Sequence, residues 1–197
     1  MPIRLDDGRG ALQRTRARGR TPLIIVIDCG SDPDDTKSLV IAATLHLRRR
    51  VRLLAVVANS GAQPRARARL ARCVLDHVGV RDVPVGVGLM GQAYTASLHE
   101  YALDGYENVA EQRLLDGGAL LVRVLRGARR RSVRVVLISS LRDFADVCIA
   151  HPRLIKDKVH TVAIQDGLER DMHVPADESA AWSLDSSVNN CFDVEGM

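Results

Sequence analysis

The stretch Leu23-Ile-Ile-Val-Ile-Asp-Cys-Gly-Ser-Asp-Pro-Asp-Asp35 decides the fold. Five aliphatic residues run straight into four carboxylates, Asp28, Asp32, Asp34 and Asp35. The apolar run is short, rich in β-branched residues and without polar alternation, so it reads as a strand buried on both faces. Gly30, Ser31 and Pro33 then force a loop, and after Asp35 the pattern becomes helical. Four acids at the C-terminal edge of a parallel strand repel one another unless something positive sits among them. Hard cations such as Ca²⁺ and Mg²⁺ prefer carboxylate and carbonyl oxygens. That edge is also where open α/β sheets place their ligands. Capping of the following helix by Asp34 or Asp35 is the plainer reading, and it leaves two acids in the same turn unexplained.

Outward from this stretch, apolar runs and helical stripes alternate. Residues 35–48 form a stripe of Leu39, Ala43 and Leu47, with Val40 beside it. A second strand is predicted at Val51–Ala58, ending in the polar loop Asn59-Ser-Gly-Ala-Gln63. Pro64 suits the first turn of the next helix, which carries Leu70, Val74 and Val78 on one side. Arg65, Arg67, Arg69 and Arg72 on that helix read as a solvated face rather than a phosphate site. A short third strand is expected within residues 82–88, and residues 89–116 read as a long surface loop. A helix follows at 118–128, then a buried strand from Val133 to Ser139, a helix from Leu141 to Ala150 that stops before Pro152, and a strand from Val159 to Ile164. This order is the α/β signature: a mainly parallel, Rossmann-like sheet flanked by helices, with right-handed crossovers.

The loop Asp28-Cys-Gly-Ser-Asp-Pro-Asp-Asp35 resembles that of the inosine/uridine-preferring nucleoside hydrolases. Most of these carry Asp-x-Asp-Pro-Gly-x-Asp-Asp after their first strand; a divergent branch carries Asp-x-Gly-x-Asp-x-Asp-Asp, the form seen here. The resemblance implies a catalytic Ca²⁺ on this loop, with Asp28 and Asp35 as metal ligands and Asp34 on the ribose hydroxyls. The position of the common general base falls on Gly30, so Asp28 or Asp32 would replace it. Residues 51–88 follow the family order of strand, Asn-containing loop, helix and Val-Pro-Val strand. Residues 133–167 follow its later order, with Ser139-Ser-Leu-Arg-Asp143 and Gln165-Asp-Gly167 in place of the signature letters. Near the C-terminus Asn189 takes the place of a ribose-binding Asn, and Ser187 stands where the family has Glu.

The resemblance spans residues 22–197 but only roughly the first two-thirds of a typical family domain. The family's leaving-base His and its last Ca²⁺-binding Asp have no counterpart here. The expectation is therefore a fragment of a hydrolase or a degenerate relative. The implied reaction is hydrolysis of a ribonucleoside to ribose and free base. Its oxocarbenium-like transition state calls for an activated water, a gripped ribose and a stabilised leaving base. Asp28, Asp32 and Asp35 are candidates for the first task, and Asp34, Asn59 and Asn189 for the second.

Two alternatives come from other classes. A haloacid-dehalogenase-type phosphatase uses Asp-x-Asp after its first strand, and here the second Asp is Gly30. A binding protein without turnover fits the missing general base and Ser187. An EF-hand is a weaker reading still, because position twelve from Asp28 is Leu39 where a Glu is required.

The bulk numbers bound the rest. A chain of 197 residues supports one sizeable core. The net charge of +4 sits within residues 1–20, which hold six Arg and two Asp; the remainder is neutral. Residues 1–21 read as a disordered basic tail, with an organelle transit peptide as the weaker reading because of Asp6 and Asp7. The charge thus gives no nucleic-acid surface. Cys29, Cys73, Cys148 and Cys191 are widely spaced and suit reduced thiols in a cytoplasmic protein. No apolar run approaches the roughly 18 residues of a membrane span. The expected partner is a small nucleoside or ribosyl compound, and the family implies a homo-oligomer.

Overall fold

The computed structural model describes residues 19–30, 32–59, 63–90, 101–165, 168–170 and 182–184. Its centre is a six-stranded sheet in the order β4-β3-β2-β1-β5-β6. The strands are β1 (Thr21–Ile27), β2 (Val51–Ala58), β3 (Val85–Val87), β4 (Leu114–Asp116), β5 (Val133–Leu137) and β6 (Val159–Ile164), and every pairing is parallel. The helices are α1 (Pro33–Leu47), α2 (Pro64–His77), α3 (Gly117–Arg126), α4 (Arg142–Ala150) and α5 (Pro152–Lys158). A separate antiparallel pair joins β7 (Leu168–Arg170) and β8 (Trp182–Leu184).

The unbroken apolar run of β1 is explained by its central place. Ile25 and Ile27 pack with Leu39 and Ala43 of α1 and with Ala71 and Val74 of α2. Ile24 and Val26 face the other way, onto Leu120, Leu121 and Leu125 of α3 and Phe144 and Val147 of α4. The chain leaves β1 toward β2, β3 and β4 on one side and returns to β5 and β6 on the other. The strand order therefore reverses at β1, the kind of position at which open α/β sheets bind ligands beyond the C-terminal strand ends.

Three expectations are corrected. The third strand is confined to Val85–Val87. Residues 114–116, expected in a surface loop, form β4 beside it, in register Val85 with Leu114. Gly86 and Gly117 permit this: a Cβ on Gly86 would lie 2.8 Å from the Gly117 Cα, and one on Gly117 would lie 2.7 Å from the Val87 carbonyl oxygen. The third correction concerns the arginines of α2. Arg67 and Arg72 are buried, and Arg65 and Arg69 both pair with Glu111. Arg72 donates to the Val83 carbonyl at 2.5 Å and to that of Val80, tying the helix to the β3 approach.

Of the tail expected over residues 1–21, residues 1–18 lie outside the described residues, and Thr21 belongs to β1. Among the described residues no helix is long and apolar enough to cross a membrane.

Candidate functional site

The strands end at one level, and their next residues form a row along the sheet edge. Asn59 N donates to the Ile27 carbonyl at 3.0 Å, Gly88 N to Ala58 at 2.8 Å, and Ile138 N to Val26 at 3.0 Å. This register places Asp28, Asn59, Gly88 and Ser139 side by side above β1, β2, β3 and β5.

Asp28 follows β1, and Asp35 sits in the first turn of α1. Asp32 has the extended backbone of a helix N-cap, φ −91° and ψ 135°, and Pro33 follows at the first helical position. The Asp32 side chain makes no capping hydrogen bond, so helix capping does not account for it. Asp32 and Asp34 are exposed, whereas Asp35 turns inward and is buried. Its carboxyl hydrogen-bonds with that of Asp28. Two carboxyls can share such a bond only if one carries a proton.

The Asp35 carboxyl is accordingly held well above the ordinary carboxylate range. Burial is the main cause, followed by the hydrogen bond and charge of Asp28 and the charge of Asp34; the Arg67 guanidinium opposes them. Asp35 Oδ1 is buried without a hydrogen-bond partner among the described residues. Burial, then the charges of Asp35 and Asp28, push the neighbouring Cys29 thiol far up, which makes it slow to react while the loop is closed.

This donor set suits a hard divalent cation. It offers two adjacent carboxyl groups, one with an unsatisfied buried oxygen, and the neighbouring Cys29 is held as the thiol rather than the thiolate that soft metals need. Among the described residues no third His, Cys, Asp or Glu completes a cluster of metal-binding spacing. Asp28 and Asp35 are thus the residues that would hold the ion.

Asn59 is 0% exposed, and its amide is committed within the fold. Nδ2 donates to the Ser140 carbonyl at 2.9 Å and to Asp143 Oδ2 at 2.8 Å, while Oδ1 accepts from Ser139 Oγ at 2.6 Å. Asp143, in the first turn of α4, also accepts from Leu89 N at 3.0 Å. The ends of β2, β3 and β5 are knitted together in this way beside Asp28. Asp143 reaches the mouth of a groove of about 650 Å³ between α3 and α4, walled by Val122, Arg123 and Val147. None of the four loop acids lines that groove.

The structure thus brings together Asp28 and Asp35, sets Asp34 nearby on the surface, leaves Asp32 exposed, and buries Asn59. Asn189 lies outside the described residues, as do His99, Asp166, His173, Asp185 and Asp193. The roles of Arg67, Ser139 and Asp143 escape the sequence reading. Their one available signal is register, since Asn59 and Ser139 each follow a strand paired with β1.

No family model and no curated protein sequence matches the chain. Solved structures do. The type III effector protein XopQ, complexed with adenosine diphosphate ribose, matches 97% of this chain and 57% of its own, at 24% identity and a TM-score of 0.70. The plant nucleoside hydrolase PpNRh1 matches 75% of this chain and 48% of its own, at 17% identity and a TM-score of 0.59. The inosine-uridine preferring nucleoside hydrolase from Bacillus anthracis matches 79% and 54%, at 14% identity and a TM-score of 0.55. The chain spans about half the length of these proteins. What it shares with them is the fold, a six-stranded parallel α/β sheet of the nucleoside hydrolase-like kind.

Proposed function

We propose that the chain carries the ribosyl-binding edge of a nucleoside N-ribohydrolase, with Ca²⁺ held by Asp28 and Asp35. The observation that carries this reading is the hydrogen-bonded Asp28–Asp35 pair, placed where the sheet order reverses and left with an unsatisfied buried oxygen. A bound Ca²⁺ would supply positive charge that lowers the pKa of water and gathers the ribose hydroxyls. In this reading Asp34, exposed on the first turn of α1, accepts hydrogen bonds from those hydroxyls. Asp28 or Asp32 takes the proton from the attacking water, and Asn189 adds a ribose contact. Asn59 serves by holding Asp143 and the β5–α4 turn.

The test is ribose release from inosine and uridine by the full-length protein, with Ca²⁺ and with chelator. Ca²⁺-dependent release that is lost in Asp35→Ala supports the reading. Release that is unchanged by Asp35→Ala overturns the site.

Two observations favour a second reading, ribosyl binding without turnover. Gly30 brings no carboxylate to the loop, and every polar side-chain atom of Asn59 is engaged within the fold. The XopQ structure holds adenosine diphosphate ribose on a similar fold. Calorimetric binding of ADP-ribose with no ribose released from any nucleoside would favour this second reading.

A further inference from the structure

Arg67 lies on the second turn of α2, facing away from solvent at 5% exposure. A guanidinium is buried only where acceptors compensate for the lost water. Here the acceptors are main-chain oxygens of the acid loop. Arg67 Nη1 donates to the Asp28 carbonyl and, at 3.3 Å, to the Cys29 carbonyl. These two residues lie past the last sheet residue of β1. Both carbonyls turn toward α2; Cys29 lies between them in the chain, and the Asp28 side chain just before them meets Asp35.

Arg72, one turn further along α2, shows what a purely structural arginine looks like in this fold. It binds the Val80 and Val83 carbonyls and pairs with Asp76 at 3.1 Å, away from the acid loop. Arg67 makes the same kind of contact, with one difference. Its charge acts on the Asp35 carboxyl of the acid loop.

We propose that Arg67 is the positioning residue of the acid loop: its guanidinium holds the Asp28 and Cys29 carbonyls toward α2 and so sets the Asp28 and Asp35 carboxylates side by side. The proposal rests on the reading of those two carboxylates as the site. It has a chemical consequence. Arg67 occupies one lone pair on each of these two carbonyls, so the carboxylate side chains are the more open ligands for a cation held there.

Cys29 reports on this loop and Cys73, buried on α2, reports on the rest of the core. The experiment measures N-ethylmaleimide labelling of each cysteine by peptide mass spectrometry. It compares the wild-type chain, Arg67→Met, Arg67→Lys and Arg72→Met, each with and without Ca²⁺. In Arg67→Met, Cys29 labels about tenfold faster while Cys73 changes by less than about twofold, as local opening requires. Arg72→Met leaves Cys29 no faster than Cys73. An unchanged Cys29 rate in Arg67→Met overturns the proposal. Should both cysteines of that variant accelerate together, Arg67→Lys decides. Selective acceleration of Cys29 upholds the proposal, and equal rates at both cysteines overturn it. Ca²⁺ slows Cys29 labelling in the wild type if the pair holds the ion. If Ca²⁺ has no effect there, the metal reading fails while the Arg67 comparison still stands.

Discussion

The Asn59 amide donates to the Asp143 carboxylate at 2.8 Å, joining the end of β2 to the first turn of α4 across 84 residues of sequence. Both groups are buried, so removing one strands the other. Asp143→Ala leaves Leu89 N without its acceptor and Asn59 with one fewer. A buried polar group deprived of its partner costs about 1–3 kcal/mol. Urea unfolding of Asp143→Ala is expected to show a loss in that range, with Asn59→Ala close to it and the double variant well short of additive.

Gly88 packs against the same pair. A Cβ there would lie 2.6 Å from the Asn59 Cβ and 2.8 Å from Asp143 Oδ2. Asn59 is held from three directions and cannot move aside cheaply. Gly88→Ala is expected to destabilise by about 1–3 kcal/mol, the usual range for overpacking. Chemical denaturation checks this, and a neutral substitution would mean that the junction is looser than described.

Acid sensitivity is expected at Asp76. Arg113 binds its carboxylate with two hydrogen bonds, at 2.6 and 2.8 Å, and Arg72 approaches at 3.1 Å. Partial burial raises the Asp76 pKa, but the hydrogen bond from Arg113 and the charge of Arg72 outweigh it and hold the group below its ordinary 3.8. The folded state therefore binds this proton less tightly than the unfolded state. The stabilisation is fully present above pH 3.8 and is lost as pH falls through the lower folded value. Asp76→Asn is expected to cost about 1 kcal/mol near neutral pH, given its partial exposure, and progressively less in acid. Melts of both chains across the acid range measure the difference.

Much of the fold was legible because it rests on local pattern. The uninterrupted Leu23–Ile27 run read as a doubly covered strand, and Leu39 with Ala43 and Leu70 with Val74 marked the helices over it, whereas Leu47 and Val40, expected with the first stripe, are exposed. What was not legible depends on contacts between distant main-chain atoms. Leu114–Asp116 is too short to show a period, and it becomes a strand only because Gly86 and Gly117 let the chain come close. Arg67 and Arg72 look like surface charges in sequence. They are buried because loop carbonyls from β1 and β3 need donors, and sequence does not show where carbonyls point. At the site, the acid loop was visible as an excess of charge, and its division into an inward pair and two outward acids was not. Asp143 stood in plain view as one letter of a degenerate signature, its role set by Leu89 N and Asn59.

The central claim is that Asp28 and Asp35 form a cation site, and thermal unfolding with and without millimolar Ca²⁺ tests it most directly. A ligand that binds only the folded state adds about 2.7 kcal/mol at a hundred times its dissociation constant. The account predicts a cooperative melt in the metal-free wild type that moves up with Ca²⁺. In Asp35→Ala the metal-free melt is kept and the Ca²⁺ response is lost. A wild-type melt indifferent to Ca²⁺, or a response that survives in Asp35→Ala, would contradict it.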